Sequence, residues 1–441
     1  MREGGYSAGG VYFSFENGWI AGVSLLKFTR PKPEIVFTPR KPLNEKMYAE
    51  RRLLETKFER AIRGSQHIAV FGDSGNGKTW LYQKVLKDRK CPYILVDLSV
   101  AKTSGLDNAF RNSLDSPYGW EPSSKSDDLS GGIALGVGAN RTKGTQYTFA
   151  DKPPFEKLMD EMSKKGTRQK FIVFDNLESV VDNPEIIEQL TAYILRLDNP
   201  KFVASGVRFL FVGVVSNIRA LLSGGANAGT ISNRIFELPE VKRLSPFEAE
   251  TVLRTGLLDL LKVDFGDEED IVIQSCKYYS GRSAQHIHEI GLNIGFVAED
   301  HDWEIGWLEV ADAILDWSLS SLQGHAAAVR ARLNKKETRV QRRNQVLYVI
   351  AKHANDYFSV GEIDAAIRKE FPDNTQVAQL GIDQILKGLA QGKMPILERD
   401  STTNRFRFSH PKLRIAIRHV LHRDDEGGVT ENTDLAKVDF S

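Results

Sequence analysis

The sequence predicts an α/β fold: a three-layer core with a parallel sheet covered by helices on both faces, then an α-helical lid, then a C-terminal winged helix-turn-helix domain. Three observations predict it. Short apolar runs of strand length at His67 to Phe71, Tyr93 to Leu98, Phe171 to Phe174 and Phe209 to Val215 alternate with helical or polar sequence, the pattern of parallel strands joined by crossover helices. After Leu244 the strand-like runs cease and the sequence takes a helical period. The C-terminal part reads helix, helix, helix, hairpin.

At 441 residues the chain exceeds the size at which one core stops growing, so about two to four domains are expected. A hydrophobic fraction of 41%, a charged fraction of 27% and a net charge of +1 describe an ordinary globular protein, so any nucleic-acid surface must be local. Cys91 and Cys276 stand far apart, which excludes a disulfide framework or zinc site and fits a reducing compartment. No apolar run approaches the ~20 residues of a membrane span. The start, Met1-Arg2-Glu3-Gly4-Gly5, lacks the apolar stretch of a signal peptide. A cytoplasmic location without membrane contact is expected.

Residues 1–42 are rich in glycine and aromatics, with strand-like pieces at Val11 to Phe15 and Trp19 to Leu26 and a stiffening Pro31-Lys32-Pro33, and read as an N-terminal strand-rich appendage. Residues 43–244 form the core. From Leu43 to Ile62 the apolar Met47, Leu54, Phe58 and Ile62 recur at helical spacing, an amphipathic helix leading into the first strand. The run Gly131-Gly132-Ile133-Ala134-Leu135-Gly136-Val137-Gly138 has neither the spacing nor the context of a dinucleotide fingerprint and reads as a flexible hairpin insertion. Residues 245–323 supply the lid, with helices expected at Pro246 to Leu261, Asp267 to Tyr279, Ser283 to Phe296 and Gly306 to Leu319. Residues 324–423 give a connector and the winged domain: helices at Val340 to His353, Val360 to Phe371 and Thr375 to Ala390, then a hairpin of Ile396 to Arg399 and Arg405 to Phe408. Residues 424–441 open with Asp424-Asp425-Glu426-Gly427-Gly428 and read as an acidic disordered tail.

The chemistry begins at Gly72-Asp73-Ser74-Gly75-Asn76-Gly77-Lys78-Thr79, between the first strand and a helix opened by Trp80. Backbone N–H groups of such a turn wrap phosphate oxygens only where no Cβ intrudes, which is the reason for Gly72, Gly75 and Gly77. Lys78 is placed to reach the β- and γ-phosphates, and the Thr79 hydroxyl to bind Mg²⁺. This is the loop of P-loop nucleotide-binding folds, and ATP with Mg²⁺ is the expected ligand. A second signal agrees: Phe171-Ile172-Val173-Phe174-Asp175 is an apolar strand ending in a carboxylate, the arrangement that holds Mg²⁺ in such proteins, which makes Asp175 a metal candidate with Thr79.

With these motifs in order, the stretch from about residue 43 to 420 resembles the STAND and origin-recognition branch of the AAA+ ATPases, which carry this core, a helical lid and a C-terminal winged helix. The resemblance implies further roles. Where ring-forming relatives carry a catalytic glutamate after the metal-binding aspartate, this chain has Asn176; Glu178 is the other candidate to orient the attacking water, and slow hydrolysis is expected. Ser216-Asn217, after the fourth strand, looks like sensor 1, with Asn217 as the γ-phosphate reader. Ile231-Ser232-Asn233-Arg234-Ile235 looks like the segment carrying an arginine finger into a neighbouring subunit; Arg234 is the candidate, ahead of Arg208 and Arg243. Ser245 and Glu248 read as a capping pair opening the lid. Gly281-Arg282-Ser283 stands where many relatives have Gly-x-Pro, and Arg282, then His286, is the lid residue expected at the nucleotide, with His288 packed in its helix.

Residues 338–423 contain 15 Lys and Arg against 8 Asp and Glu, an excess of seven positive charges suited to a DNA reader. The third helix, however, offers only Lys387 among bases, with Asp383 beside it; the wing arginines Arg399, Arg405 and Arg407 are the better candidates for phosphate contact. Phe406 to Arg414 resembles the end of STAND winged helices, which hold an ATPase closed, so intramolecular or protein docking stands beside DNA contact. The leading expectation is an ATP-binding and ATP-hydrolysing switch that forms homo-oligomers and regulates a partner or effector chain, in a bacterial regulatory or antiphage-defence setting. The alternatives are a DNA-loading or transposition-regulating ATPase and a non-hydrolysing nucleotide-bound scaffold.

Overall fold

The computed structural model describes residues 30–115, 152–166, 169–214, 217–223, 228–334, 340–376, 379–400, 403–424 and 428–432. The strand-like pieces before Arg30, the glycine run at 131–138 and Ser216 lie outside the described residues. A helical turn α1 (Pro33–Val36) and helix α2 (Arg52–Arg63) lead to β1 (His67–Phe71) and α3 (Lys78–Asp88). Then come β2 (Tyr93–Asp97), α4 (Leu98–Ser104), α5 (Leu106–Asp115), α6 (Pro154–Ser163), β3 (Lys170–Asp175), α7 (Pro184–Arg196), α8 (Pro200–Val203), β4 (Val207–Gly213), α9 (Ile218–Leu222), α10 (Ala228–Ser232) and β5 (Ile235–Glu237).

All five strands run parallel in the order β2-β3-β4-β1-β5. Successive residues alternate between two cores. Ile68, Val70, Phe171, Val173, Leu210 and Val212 face α2 and α3, packing on Phe58, Leu81 and Tyr82. Ala69, Ile172, Phe174, Phe209 and Phe211 face the other layer with Phe110, Phe155 and Leu190. A strand buried on both faces has no polar alternation, which is why these runs are continuously apolar. Because every strand points the same way, β1, β3 and β4 end at one edge of the sheet.

The lid consists of α11 (Pro246–Leu253), continued by a π-turn over Arg254–Leu260, then α12 (Glu269–Tyr279), α13 (Ala284–Asp300) and α14 (Trp307–Arg330). Ser245 and Glu248 form the expected reciprocal cap of α11. The C-terminal part comprises α15 (Arg342–Lys352), α16 (Val360–Glu370), α17 (Ile382–Leu389), the hairpin β6 (Leu397–Arg399) and β7 (Phe406–Phe408), α18 (Pro411–Val420), and a second hairpin of β8 (Leu421–Arg423) and β9 (Val429–Glu431). Among the described residues no helix is long and apolar enough to cross a membrane.

Five local differences from the sequence reading have physical causes. The leading helix starts at Arg52, not Leu43, because Met47 is drawn out of its register into the lid core. Residues 30–42 are not a free appendage: Phe37 is fully buried in a socket where Cβ atoms added to Gly256 or Gly291 would lie 2.3 Å from its ring. Helix α14 runs unbroken through residue 323, with Val310 to Leu322 in the lid core and Val329 in the C-terminal core, so one helix serves both. The third C-terminal helix begins only at Ile382, after Gly381 at φ +68, a left-handed residue that interrupts helical propagation. In the tail, Val429 is buried and Val429–Glu431 pairs with Leu421–Arg423, closed by the Gly428 N–H donating to Asp424, so residues 428–432 are ordered rather than disordered.

Candidate nucleotide site

The loop between β1 and α3 lies at the carboxyl edge of the sheet. Gly72, Gly75 and Gly77 have φ of +152°, +81° and +87°. A Cβ at Gly72 would stand 2.3 Å from the Val241 carbonyl oxygen, and one at Gly75 2.8 Å from Ser283 Oγ. The glycines therefore fit both a phosphate cradle and close packing from two sides. Asn76 is buried and donates Nδ2 to the Val241 carbonyl at 3.2 Å. Lys78 Nζ donates to the carbonyls of Gly72 (2.8 Å) and Asp73 (3.0 Å). Burial lowers its pKa, opposed by the carboxylates of Glu178, Asp175 and Asp73.

Asp175 ends β3 opposite the loop. Its Oδ1 accepts the Asn176 N–H at 2.9 Å, the Tyr82 hydroxyl lies 3.5 Å from Oδ2, and burial raises its pKa. Asn176 takes a left-handed conformation and donates Nδ2 to Asp97 Oδ1 at 2.9 Å. Glu178 accepts the Val214 N–H at 3.1 Å, beside Gly213, where an added Cβ would meet Glu178 Oε2 at 3.4 Å.

The lid closes directly on the loop. The Gly75 carbonyl accepts from the Gln285 N–H (2.9 Å) and the Ser283 hydroxyl (3.1 Å) at the start of α13. From the N-terminal side, the strap Thr38-Pro39-Arg40-Lys41 crosses above Trp80, whose Nε1 donates to the Lys41 carbonyl at 2.9 Å, while the Thr38 N–H donates to His288 Nδ1 at 3.1 Å. Loop, β3 end, α13 and strap enclose a cavity of ≈ 300 Å³ lined by Lys78, Thr79, Trp80, Asp175, Asn176, Glu178, Gln285 and His288.

No protein-family model matches the chain, and no curated protein matches it. Solved structures do. The Walker-type ATPase PABY2304 of Pyrococcus abyssi is 15% identical, with 87% of this chain and 99% of that chain aligned at a TM-score of 0.50. The chain has the Walker-type ATPase fold. That is the core implied by the resemblance to P-loop AAA+ ATPases of the origin-recognition-like kind. Two other similar structures are the Aeropyrum pernix ORC2 protein in ADPNP–ADP complexes (13% identity, 88% and 97% covered, TM-score 0.48) and the Aeropyrum pernix ORC1 protein in complex with DNA (14%, 88% and 96%, 0.44).

Within this Walker-type frame, the predicted Gly75, Gly77, Ser74, Lys78, Thr79, Trp80, Asp175, Asn176 and Glu178 meet at one cavity. Others do not. Arg282 follows Gly281 in a left-handed turn and does not line the cavity; the charges that act on it are Arg243, Asp356 and Glu248. His286 is buried against Trp317. Asn217 caps α9 through the Ala220 N–H (3.1 Å) and does not line the cavity. Arg234 lies at the opposite, amino edge of the sheet, paired with Asp198 at 2.5 Å. Arg208 is buried, donating to carbonyls of Ala61, Ile62 and Gln66 beside the end of α2. Arg243 pairs with Asp356 at 3.4 Å. In the wing, Arg399 bonds Asn404, Arg405 pairs with Glu362 and Arg407 with Glu398, both pairs at 2.9 Å.

Thr38 to Lys41 and Gln285 carry no sequence signal as cavity residues, and His288, expected to pack in its helix, also lines the cavity; no spacing rule links residue 38 to residue 288. Nor does the sequence mark the face of the loop turned to the C-terminal domain. There Asp73 and Asn76, with Arg243, Asp356, Arg407 and Arg414, line a second cavity of ≈ 50 Å³. Burial, then the nearby Asp356 carboxylate, push Asp73 upward, while burial pulls Arg414 down to about 9.

Proposed function

We propose that the protein is an ATP-driven molecular switch, binding and hydrolysing ATP between the sheet edge and the lid. One observation carries this reading: the phosphate loop is bonded to core and lid and shares a second cavity with the C-terminal domain. Asn76 and Gly72 rest on Val241, Gly75 is held by Ser283 and Gln285, and Asp73 faces Asp356, Arg407 and Arg414. A ligand that draws Lys78 away from the Gly72 and Asp73 carbonyls changes the loop all three share, and its differential affinity for the two arrangements biases their packing.

In this reading the loop amides and Lys78 hold the triphosphate. Thr79 and Asp175 would hold Mg²⁺, which would supply positive charge to the phosphates. The cradle fits, because Gly75 and Gly77, both left-handed, line one cavity with Lys78, Thr79 and Asp175. Among the described residues no group of three or more His, Cys, Asp or Glu forms a cage, so the ion would rest on these two residues and substrate oxygens, as Mg²⁺ commonly does. Glu178 is the better choice to orient the water, since the Asn176 amide is committed to Asp97. Hydrolysis is slow until subunits meet and Arg234, at the far edge, enters a neighbour's site. Protein docking of the winged helix is favoured over DNA, because Arg405 and Arg407 already pair with carboxylates and Arg407 and Arg414 line a cavity with Asp73 of the loop. The partner is then a separate effector chain, in a regulatory or antiphage setting.

The test is particle mass and phosphate release with ATP and Mg²⁺ across protein concentration, with and without duplex DNA. Specific activity rising with mass, and lost in Arg234→Ala, is expected. A salt-sensitive rise that requires DNA would replace this reading with the DNA-loading one. Tight ATP retention without phosphate release at every concentration would support a scaffold.

A further inference from the structure

We propose that Arg40, on the N-terminal strap, is a phosphate-binding cation of the nucleotide site, taking the part that the resemblance gave to Arg282. This rests on the ATP reading above. Beyond the P-loop, the cavity needs positive charge: its lining carries Asp175 and Glu178, and a bound triphosphate adds more negative charge. The cations lining it are Lys78, Arg40 and Lys41. Lys41 Nζ is turned to the Glu34 carbonyl at 3.3 Å, and Arg282 does not line the cavity. Arg40 remains.

Its backbone is fixed and its side chain is not. Phe37 is locked in the glycine socket, Thr38 is bonded to His288, Lys41 to Trp80, and the Leu43 N–H to Gln83 at 3.2 Å. Arg40 itself sits at φ +60, a conformation that a non-glycine residue holds only where its surroundings impose it. The side chain is 71% exposed and pairs with Glu289 Oε1 at 3.3 Å. That oxygen already accepts from Gln285 Nε2 at 2.7 Å, and Oε2 accepts from Trp317 Nε1 at 2.9 Å. Glu289 therefore stays satisfied when Arg40 leaves, and an exposed pair of this kind contributes little.

The reach is right as well. Gln285 touches Gly75 through its backbone N–H, and Glu289 lies one turn, about 5 Å, further along α13. The guanidinium is thus parked a turn above the phosphate loop, and its planar fork suits phosphate oxygens better than an ammonium.

The experiment measures dissociation constants for ATP and ADP on the full chain and its variants. Arg40→Ala should weaken ATP by roughly 10- to 100-fold, the range for a charge-assisted hydrogen bond. Arg40→Lys should lose less than Arg40→Ala, and Arg52→Ala, which removes an exposed charge outside the cavity, should leave ATP affinity unchanged. Glu289→Gln separates a direct role from a structural one: it frees Arg40 and should bind ATP at least as tightly as the parent. Arg40→Ala binding ATP within twofold of the parent would overturn the assignment, as would equal losses in Arg40→Ala and Glu289→Gln. A parent chain that binds no nucleotide, or a Lys78→Ala variant that binds as well as the parent, would instead remove the ATP reading.

Discussion

Replacing Phe37 by alanine tests whether the strap is part of the nucleotide site or merely lies beside it. The ring is fully buried between Gly256 and Gly291, neither of which can extend a side chain to fill the space it leaves. A Phe→Ala change in such a socket costs about 3–5 kcal/mol, since the transfer term is joined by a cavity that the glycine backbones close poorly. What else holds the strap is modest: the bonds from Thr38 to His288, Trp80 to Lys41 and Leu43 to Gln83, worth roughly 1 kcal/mol each, against about 1–2 kcal/mol of backbone entropy per ordered residue. The ratio of docked to released strap should fall by about a hundred- to a few thousandfold. Three readings follow together. Amide exchange over residues 33–41 accelerates while β1, β3 and β4 remain protected. Emission from Trp80 changes as its indole loses the Lys41 carbonyl. ATP affinity drops because Thr38 to Lys41 leave the cavity wall. A Phe37→Ala chain with parental exchange in 33–41 and parental ATP affinity would refute the idea that the socket positions the strap.

Two further outcomes concern stability. Arg208→Met keeps the packing over Phe171 but removes the donors to Ala61, Ile62 and Gln66; it should lower unfolding free energy in urea by about 3 kcal/mol, and a change under about 0.5 kcal/mol would show those carbonyls find water at no cost. His67 and His288 are each pushed down to about 4, chiefly by burial. Their folded forms stay neutral where the unfolded chain protonates, so the stability they contribute is complete above about 6.5 and is lost as pH falls from there toward 4, at up to about 1.4 kcal/mol per pH unit for each. Melting temperature should therefore fall between pH 7 and 5, and a midpoint that is flat or rises across that interval would contradict their burial as neutral groups.

The amino-acid sequence by itself determined the elements whose signal is local. Continuous apolar strands buried on both faces, glycines at the backbone positions where a Cβ would clash, the carboxylate at the end of Phe171 to Phe174, and the Ser245–Glu248 cap each follow from a few adjacent residues. That is why Lys78, Thr79, Trp80, Asp175, Asn176 and Glu178 could be named together before any fold was known. Only the tertiary structure decided the rest of the cavity. Thr38 and His288 are 250 positions apart and meet through one hydrogen bond, and Arg282 and Gln285 are separated by less than one helical turn yet only Gln285 lines the cavity, Gly281 and Arg282 both holding left-handed conformations just before α13. A side chain's direction depends on the turn that carries it and on what packs behind it, and neither is written at the residue itself. The same holds for Phe37: its aromatic character is visible in the sequence, but the socket that uses it is two glycines from a different part of the chain.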